Sequence, residues 1–265
     1  MMTAMKQIWM TRPARWSAWT ALVFTGLALA ALPARAAAKY DYLSPTALAA
    51  SPDGKILYVA CRTANQLAMF DPATGKVLRT ISLPAGPTGV AISKDGTRLY
   101  VTCAAPASSV CIVNAASGKI VDTLRAGHTA MSPVLSPDGQ TLFVCNRFHN
   151  DVAVFNLASK KETARIPVAR EPFAADISRD GTRLWVANHL QSGAASADYV
   201  AAKISVIDVA AGKVTAELVL PNGSWLVTDI KVSPDGRLAA VSHGLARFHL
   251  PTTQLERGWM NTNAV

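Results

Sequence analysis

The chain has 265 residues, half of them hydrophobic, and its 26 Lys+Arg against 17 Asp+Glu give a formal net charge of +9. Lys6, Arg12, Arg15 and Arg35 all precede the first acidic residue, Asp41, so 9 − 4 = +5 remains for the rest of the chain. With no run of five or more Lys/Arg and the basic residues spread along the sequence, the charge reads as a solvated surface and excludes a polybasic nucleic-acid site.

In chain order, Lys6, Arg12 and Arg15 lead into an apolar stretch from Trp16 to Leu32 and then the small residues Ala34-Arg35-Ala36. This is the layout of a secretory signal peptide over residues 1–38. Without a paired Arg-Arg the Sec route is expected, which places the protein in the periplasm or outside the cell with no membrane segment beyond the signal. The apolar run is near the lower limit for spanning a bilayer, so an anchor is the weaker reading.

From residue 39 on, one sentence recurs. Ser51-Pro52-Asp53-Gly54 returns as Ser93-Lys94-Asp95-Gly96, Ser136-Pro137-Asp138-Gly139, Ser178-Arg179-Asp180-Gly181 and Ser233-Pro234-Asp235-Gly236. The aspartates are spaced 95 − 53 = 42, 138 − 95 = 43, 180 − 138 = 42 and 235 − 180 = 55 residues apart, a period typical of radial or stacked repeats. The aspartate bonds its own downstream backbone and the glycine accepts a positive φ, so each copy closes a hairpin. Short β-branched and aromatic runs such as Gly89-Val90-Ala91-Ile92 and Leu99-Tyr100-Val101 flank these turns. A second hairpin signature follows in each unit, for example Met69-Phe70-Asp71 then Thr74-Gly75-Lys76. Four short antiparallel strands per repeat predict an all-β protein, a β-propeller with four complete blades and a partial fifth.

Runs such as Leu57-Tyr58-Val59-Ala60-Cys61, Tyr100-Val101-Thr102-Cys103 and Trp185-Val186-Ala187-Asn188 resemble the YVTN-type (YncE-like) β-propeller repeat over residues 39–265. Val144-Cys145-Asn146-Arg147-Phe148, Arg170-Glu171-Pro172 and the stretch from Arg247 to Asn263 are similar to a bacterial subgroup of it. In that subgroup the propeller is followed by c-type cytochrome or di-haem peroxidase-like sequence. The resemblance implies a scaffold in periplasmic electron transfer with a cytochrome partner, and haem c in a C-terminal part not present here. No Cys-x-x-Cys-His occurs, so no cofactor is expected within these residues. Gly236 is followed by 29 residues without the Asx ending of earlier units, so the chain reads as an N-terminal fragment of a propeller of seven blades. A natural short form closed by oligomerisation is the runner-up.

In a propeller the two-to-three and four-to-one connections share one face, and binding residues concentrate on loops held by a rigid scaffold. By position, His128, Arg147, His149, Arg170, Glu171, His189, His243, Arg247 and His249 belong to that face, with the histidines 149, 189, 243 and 249 in two-to-three connections. These nine residues are the expected surface for a partner protein or small-molecule ligand; no nucleic acid is expected. The blade-four loop from Gln191 to Lys203 carries about ten extra residues, a further pointer to function. His128, His189 and His243 form a weak candidate metal set, and the residues alone assign no metal. No Gly-x-Ser-x-Gly elbow or paired catalytic carboxylates are present, so no catalytic residue is assigned. The competing reading is a propeller enzyme, a lactonase-like hydrolase or quinoprotein-type oxidoreductase using His and Arg of this face. Seven residues after each turn glycine stand Cys61, Cys103, Asn146, Asn188 and His243, whose simplest role is to end the second strand. Cys61, Cys103, Cys111 and Cys145 allow three full pairings. Cys103 with Cys111 is the only pair close in sequence, and small buried thiols are the alternative.

Overall fold

Residues 42–246 and 261–265 are described in a computed structural model. The signal peptide expected over residues 1–38, and Arg247 and His249, lie outside them. Among the described residues nineteen strands form five antiparallel sheets. The first contains β1 (Pro45–Ala50), β2 (Leu57–Cys61), β3 (Gln66–Asp71) and β4 (Lys76–Ser82), and the second β5 (Pro87–Ile92), β6 (Arg98–Cys103), β7 (Ser109–Asn114) and β8 (Ile120–Arg125). The third holds β9 (Ala130–Leu135), β10 (Thr141–Asn146), β11 (Asp151–Asn156) and β12 (Lys161–Pro167). The fourth holds β13 (Pro172–Ile177), β14 (Arg183–Asn188), β15 (Lys203–Asp208) and β16 (Lys213–Val219). The fifth has three strands, β17 (Ser224–Val232), β18 (Ala239–Ala246) and β19 (Asn261–Ala264). Every sheet pairs its strands in chain order, so the protein is a β-propeller with four complete blades and a partial fifth.

The Ser-x-Asp-Gly turns form as their chemistry requires. In the first, Asp53 accepts from the Ser51 hydroxyl at 2.6 Å and from the Lys55 amide at 3.2 Å, Gly54 donates to the Ser51 carbonyl, and Gly54 sits at φ 71°. Those bonds hold the turn carboxylates below their ordinary range, to about 2 at Asp95 and Asp180 through the hydroxyls of Ser93 and Ser178. The strand-three to strand-four ladder slips at the same place in each complete blade, at Met69/Phe70, Ile112/Val113, Val154/Phe155 and Val206/Ile207. A bulge repeated at one position twists each outer hairpin alike.

Alternation along each second strand divides its side chains between neighbouring blades. In β6, Leu99, Val101 and Cys103 pack with Tyr58 and Leu67 of blade one, whereas Tyr100 packs with Leu142, Val144 and Phe155 of blade three. Phe143, Cys145 and Val152 meet Leu184, Val186 and Ile207, and Ala187 and Ile204 meet Val227 and Ile230. The core is therefore a series of seams between blades rather than one central mass.

The innermost strands are stitched by side chains. Thr46 donates to the Pro87 carbonyl at 2.9 Å, Thr88 to the Ala130 carbonyl at 2.6 Å, Ser132 accepts from the Ala175 amide at 3.0 Å, and Asp176 from the Val232 amide at 2.8 Å. They surround a central cavity of about 640 Å³. The close approach there depends on Gly89, where an added Cβ would lie 2.4 Å from Pro133 Cδ and 3.0 Å from the Ser132 backbone nitrogen. Gly89→Ala is expected to cost about 1–3 kcal/mol of stability through overpacking, read as a lower urea midpoint; an unchanged midpoint would contradict this packing.

All four cysteines are buried and unbonded. Cys103 and Cys111, on adjacent strands, have their sulfurs 3.8 Å apart as two thiols. The buried-thiol alternative describes them. Burial pushes the Cys145 thiol up to about 12, which suits a small hydrophobic filler and not a nucleophile.

Candidate functional site

A recurring clasp places the face residues. The residue after strand two donates its amide to the residue before strand one: Arg62 to Ser44, Ala104 to Gly86, Arg147 to Thr129 and His189 to Glu171. Ser44, Thr129 and Glu171 have φ of 49°, 54° and 58°. Since the same left-handed residue recurs in blades without ionised side chains there, the strain at Glu171 belongs to the architecture.

At the seam of blades three and four this clasp carries an ion pair. Arg147 sends Nε and Nη2 to Glu171 Oε2 at 2.9 and 2.7 Å, with both side chains mostly buried. Glu171's own amide donates to Asn150 Oδ1, which fixes the acid from the backbone side. Arg170, more than half exposed, lies 3.9 Å from Glu171 Oε1, a long contact at the margin of the pair.

Aromatic rings extend the pair in both directions. The Arg147 guanidinium sits 5.0 Å from the Phe148 ring centroid and 5.4 Å from that of Phe173. Phe173 in turn stacks on His189, with centroids 4.6 Å apart and planes 17° apart. On the other side His128 meets Phe148 edge-on at 5.1 Å and His149 at 6.2 Å. His149 Nδ1 faces Arg165 Nη1 at 3.2 Å, and Arg165 is held by Glu162. One strip thus runs from Arg165 through His149, His128, Phe148, Arg147 and Phe173 to His189. Phe148 is its exposed summit, 48% accessible. Beneath it Gly127 admits the Asn146 side chain and His149, each 2.6 Å from where a Cβ would stand, and donates to Asn146 Oδ1 at 2.8 Å.

His189 is buried, and its Nδ1 lies 2.9 Å from the Val227 carbonyl, so Nδ1 carries the proton. Burial, with the nearby Arg147 charge, holds the imidazole below its ordinary 6.5. The unfolded chain then takes up this proton first as pH falls, so stability is lost downward through the ordinary value until the folded imidazole also protonates. We expect wild-type protein to lose more stability than His189→Gln between pH 7.5 and 5.5, measured by urea unfolding at each pH. Parallel profiles would contradict this environment.

The structure brings together Arg147, Glu171, His189, His128 and His149, with Arg170 at the margin. His243 departs from its expected place. It lies within β18, buried, with Nδ1 3.1 Å from the Gly244 carbonyl, because β18 continues to Ala246 before the connection begins. Among the described residues no three His, Cys, Asp or Glu side chains converge to hold an ion, so His128, His189 and His243 do not assemble as a metal set. At the strand ends, Asn146 bonds Gly127 and Asp151, and Asn188 donates to Lys203 and Ser205. Phe148, Phe173 and Arg165 were not singled out from sequence. Phe148 between Arg147 and His149, in a turn where an exposed aromatic has no packing reason to be, is the signal that was there to find.

Comparison with known proteins gives three findings. Residues 27–134 match the family described as Lactonase, 7-bladed beta-propeller. No curated protein matches. The solved structure of Kuenenia stuttgartiensis hydrazine synthase is similar, at 26% sequence identity and a TM-score of 0.76 over 84% of this chain. The match spans 62% of that chain.

Proposed function

We propose that this chain is a secreted or periplasmic propeller module that docks a partner protein on the strip between blades three and four, and serves periplasmic electron transfer by holding a c-type cytochrome. The observation that carries the reading is Phe148, an exposed aromatic pinned between His128 and the ion-paired Arg147. Aromatic and arginine anchors on a pre-ordered base are what protein interfaces use as energetic centres. The chain's excess of basic residues and the exposed Arg170 favour an acidic partner and a salt-sensitive on-rate.

The test is calorimetric titration of the full chain with an acidic c-type cytochrome at low ionic strength. Wild-type binding is expected to weaken at least about tenfold in Phe148→Ala, which corresponds to about 1.4 kcal/mol. No binding by wild type, or equal binding by the variant, would overturn the reading.

The family match at residues 27–134 supports a second reading, a lactonase-like hydrolase. On that reading His189, with Nδ1 engaged by Val227, has only Nε2 as a base. Turnover of a panel of γ- and δ-lactones, lost in His189→Ala, would favour it; silence across the panel would remove it.

A further inference from the structure

The two-to-three connection of blade four, residues 189–202, is longer than in the other complete blades, and hydrogen bonds moor it to the segment entering blade five. Val200 donates to Asn222 Oδ1 at 2.8 Å, Asn222 donates to the Asp198 carbonyl at 2.9 Å, Tyr199 to the Leu220 carbonyl at 2.9 Å, and Gly223 to the Val200 carbonyl at 2.9 Å. Between loop and blade lies a cavity of about 270 Å³ with Ala195, Val200 and Ala246 in its walls.

The polar groups of this cavity are the anomaly. Among the described residues four buried side-chain atoms lack a hydrogen-bond partner, and three of them, Gln191 Oε1, Ser224 Oγ and Trp225 Nε1, belong to residues lining it. Ser224 is 1% exposed while its own amide and carbonyl are both engaged, so only the hydroxyl is left over. Opposite Trp225 on β18 stands Gly244; a Cβ there would lie 3.1 Å from the indole nitrogen, so glycine leaves room beside that N–H. Buried polar groups left without partners are costly and uncommon, and three at one cavity mark a place built to receive a complementary group.

We infer that this cavity is a binding site for a small neutral molecule presenting a hydrogen-bond acceptor beside a donor, as a primary carboxamide does. Trp225 Nε1–H and the Ser224 hydroxyl supply donors for the acceptor. Gln191 Oε1 takes the donor, while the alanine, valine and indole surfaces cover an apolar body. Among the described residues no ionisable side chain lines the cavity, which disfavours a charged ligand. The alternative occupant is water, at about 30 Å³ per molecule. Mostly apolar walls with a few convergent polar groups are the usual build of a ligand pocket.

The test uses benzamide and benzoate as paired probes, matched in shape and differing in charge and in the donor. Titrated into the full chain and followed by saturation-transfer NMR, benzamide is expected to bind with a dissociation constant of about 1 mM or tighter and benzoate at least about tenfold more weakly. Trp225→Phe, which keeps the ring and removes the N–H, and Ser224→Ala are each expected to weaken benzamide at least about fivefold. Equal binding of the two probes, no benzamide binding by wild type, or full binding by both variants would overturn the inference. Unchanged circular dichroism and urea midpoints are to be established for each variant. Phe148→Ala lies outside this cavity and is expected to leave benzamide binding intact, so this result stands apart from that for the partner-binding strip.

Discussion

Phe155→Ala is expected to lower the free energy of unfolding by about 3–5 kcal/mol, measured by urea denaturation. Phe155 is 1% exposed and sits where blade three meets blade two, against Tyr100 and Ile112 on one side of the seam and Leu142 and Val144 on the other. Truncation removes a ring from a place that cannot collapse, because both walls are hydrogen-bonded sheets held in register by their ladders. The contrast is Val121→Ala on the outer strand β8. That residue is 55% exposed, and the change is expected to stay within about 0.5 kcal/mol. In a repeat architecture the loss is felt first at the seam, so blades two and three should become accessible to protease before blade four. If Phe155→Ala and Val121→Ala had equal effects, the seams would not be the core.

Glu171→Ala is expected to cost about 2 kcal/mol, between the small value of exposed ion pairs and the larger penalty of a fully buried one. Removing the carboxylate leaves the Arg147 guanidinium mostly buried between two phenyl rings with no anion to meet. Arg147→Ala should cost a similar amount, because it strands the acid and also strips packing from Phe148 and Phe173. The double variant should be less destabilised than the sum of the two, with the difference reading the coupling of the pair. Strict additivity in that cycle would show that the pair is a contact without energetic weight.

What the sequence made legible and what it hid follow from how far apart the interacting residues are. The Ser-x-Asp-Gly turns are local: Ser51, Asp53 and Lys55 complete their bonds within five residues, so composition sufficed to place hairpins, blade period and fold class. The site is not local. Arg147 finds Glu171 24 positions on, and His189 meets Val227 38 positions on, because adjacent blades bring them together. Topology could say that such residues share a face; it could not say that Phe173 would lie between the arginine and the histidine. His243 was misplaced for a related reason: Gly244 and Leu245 pair with Trp225 and Ser224 and carry β18 past the point where earlier second strands end. The cavity at Ser224 and Trp225 was invisible from composition, since neither residue type announces an unpaired hydroxyl or indole. Only the length of the 189–202 connection pointed there.

The partner-binding reading is tested most directly by hydrogen–deuterium exchange of the full chain with and without an acidic c-type cytochrome at low ionic strength. Slower exchange is expected at residues 128–130, 147–150 and 170–173, with the turns at 51–54, 93–96 and 136–139 on the opposite face unchanged. Slower exchange confined to those turns would contradict the assignment of the strip between blades three and four as the docking surface.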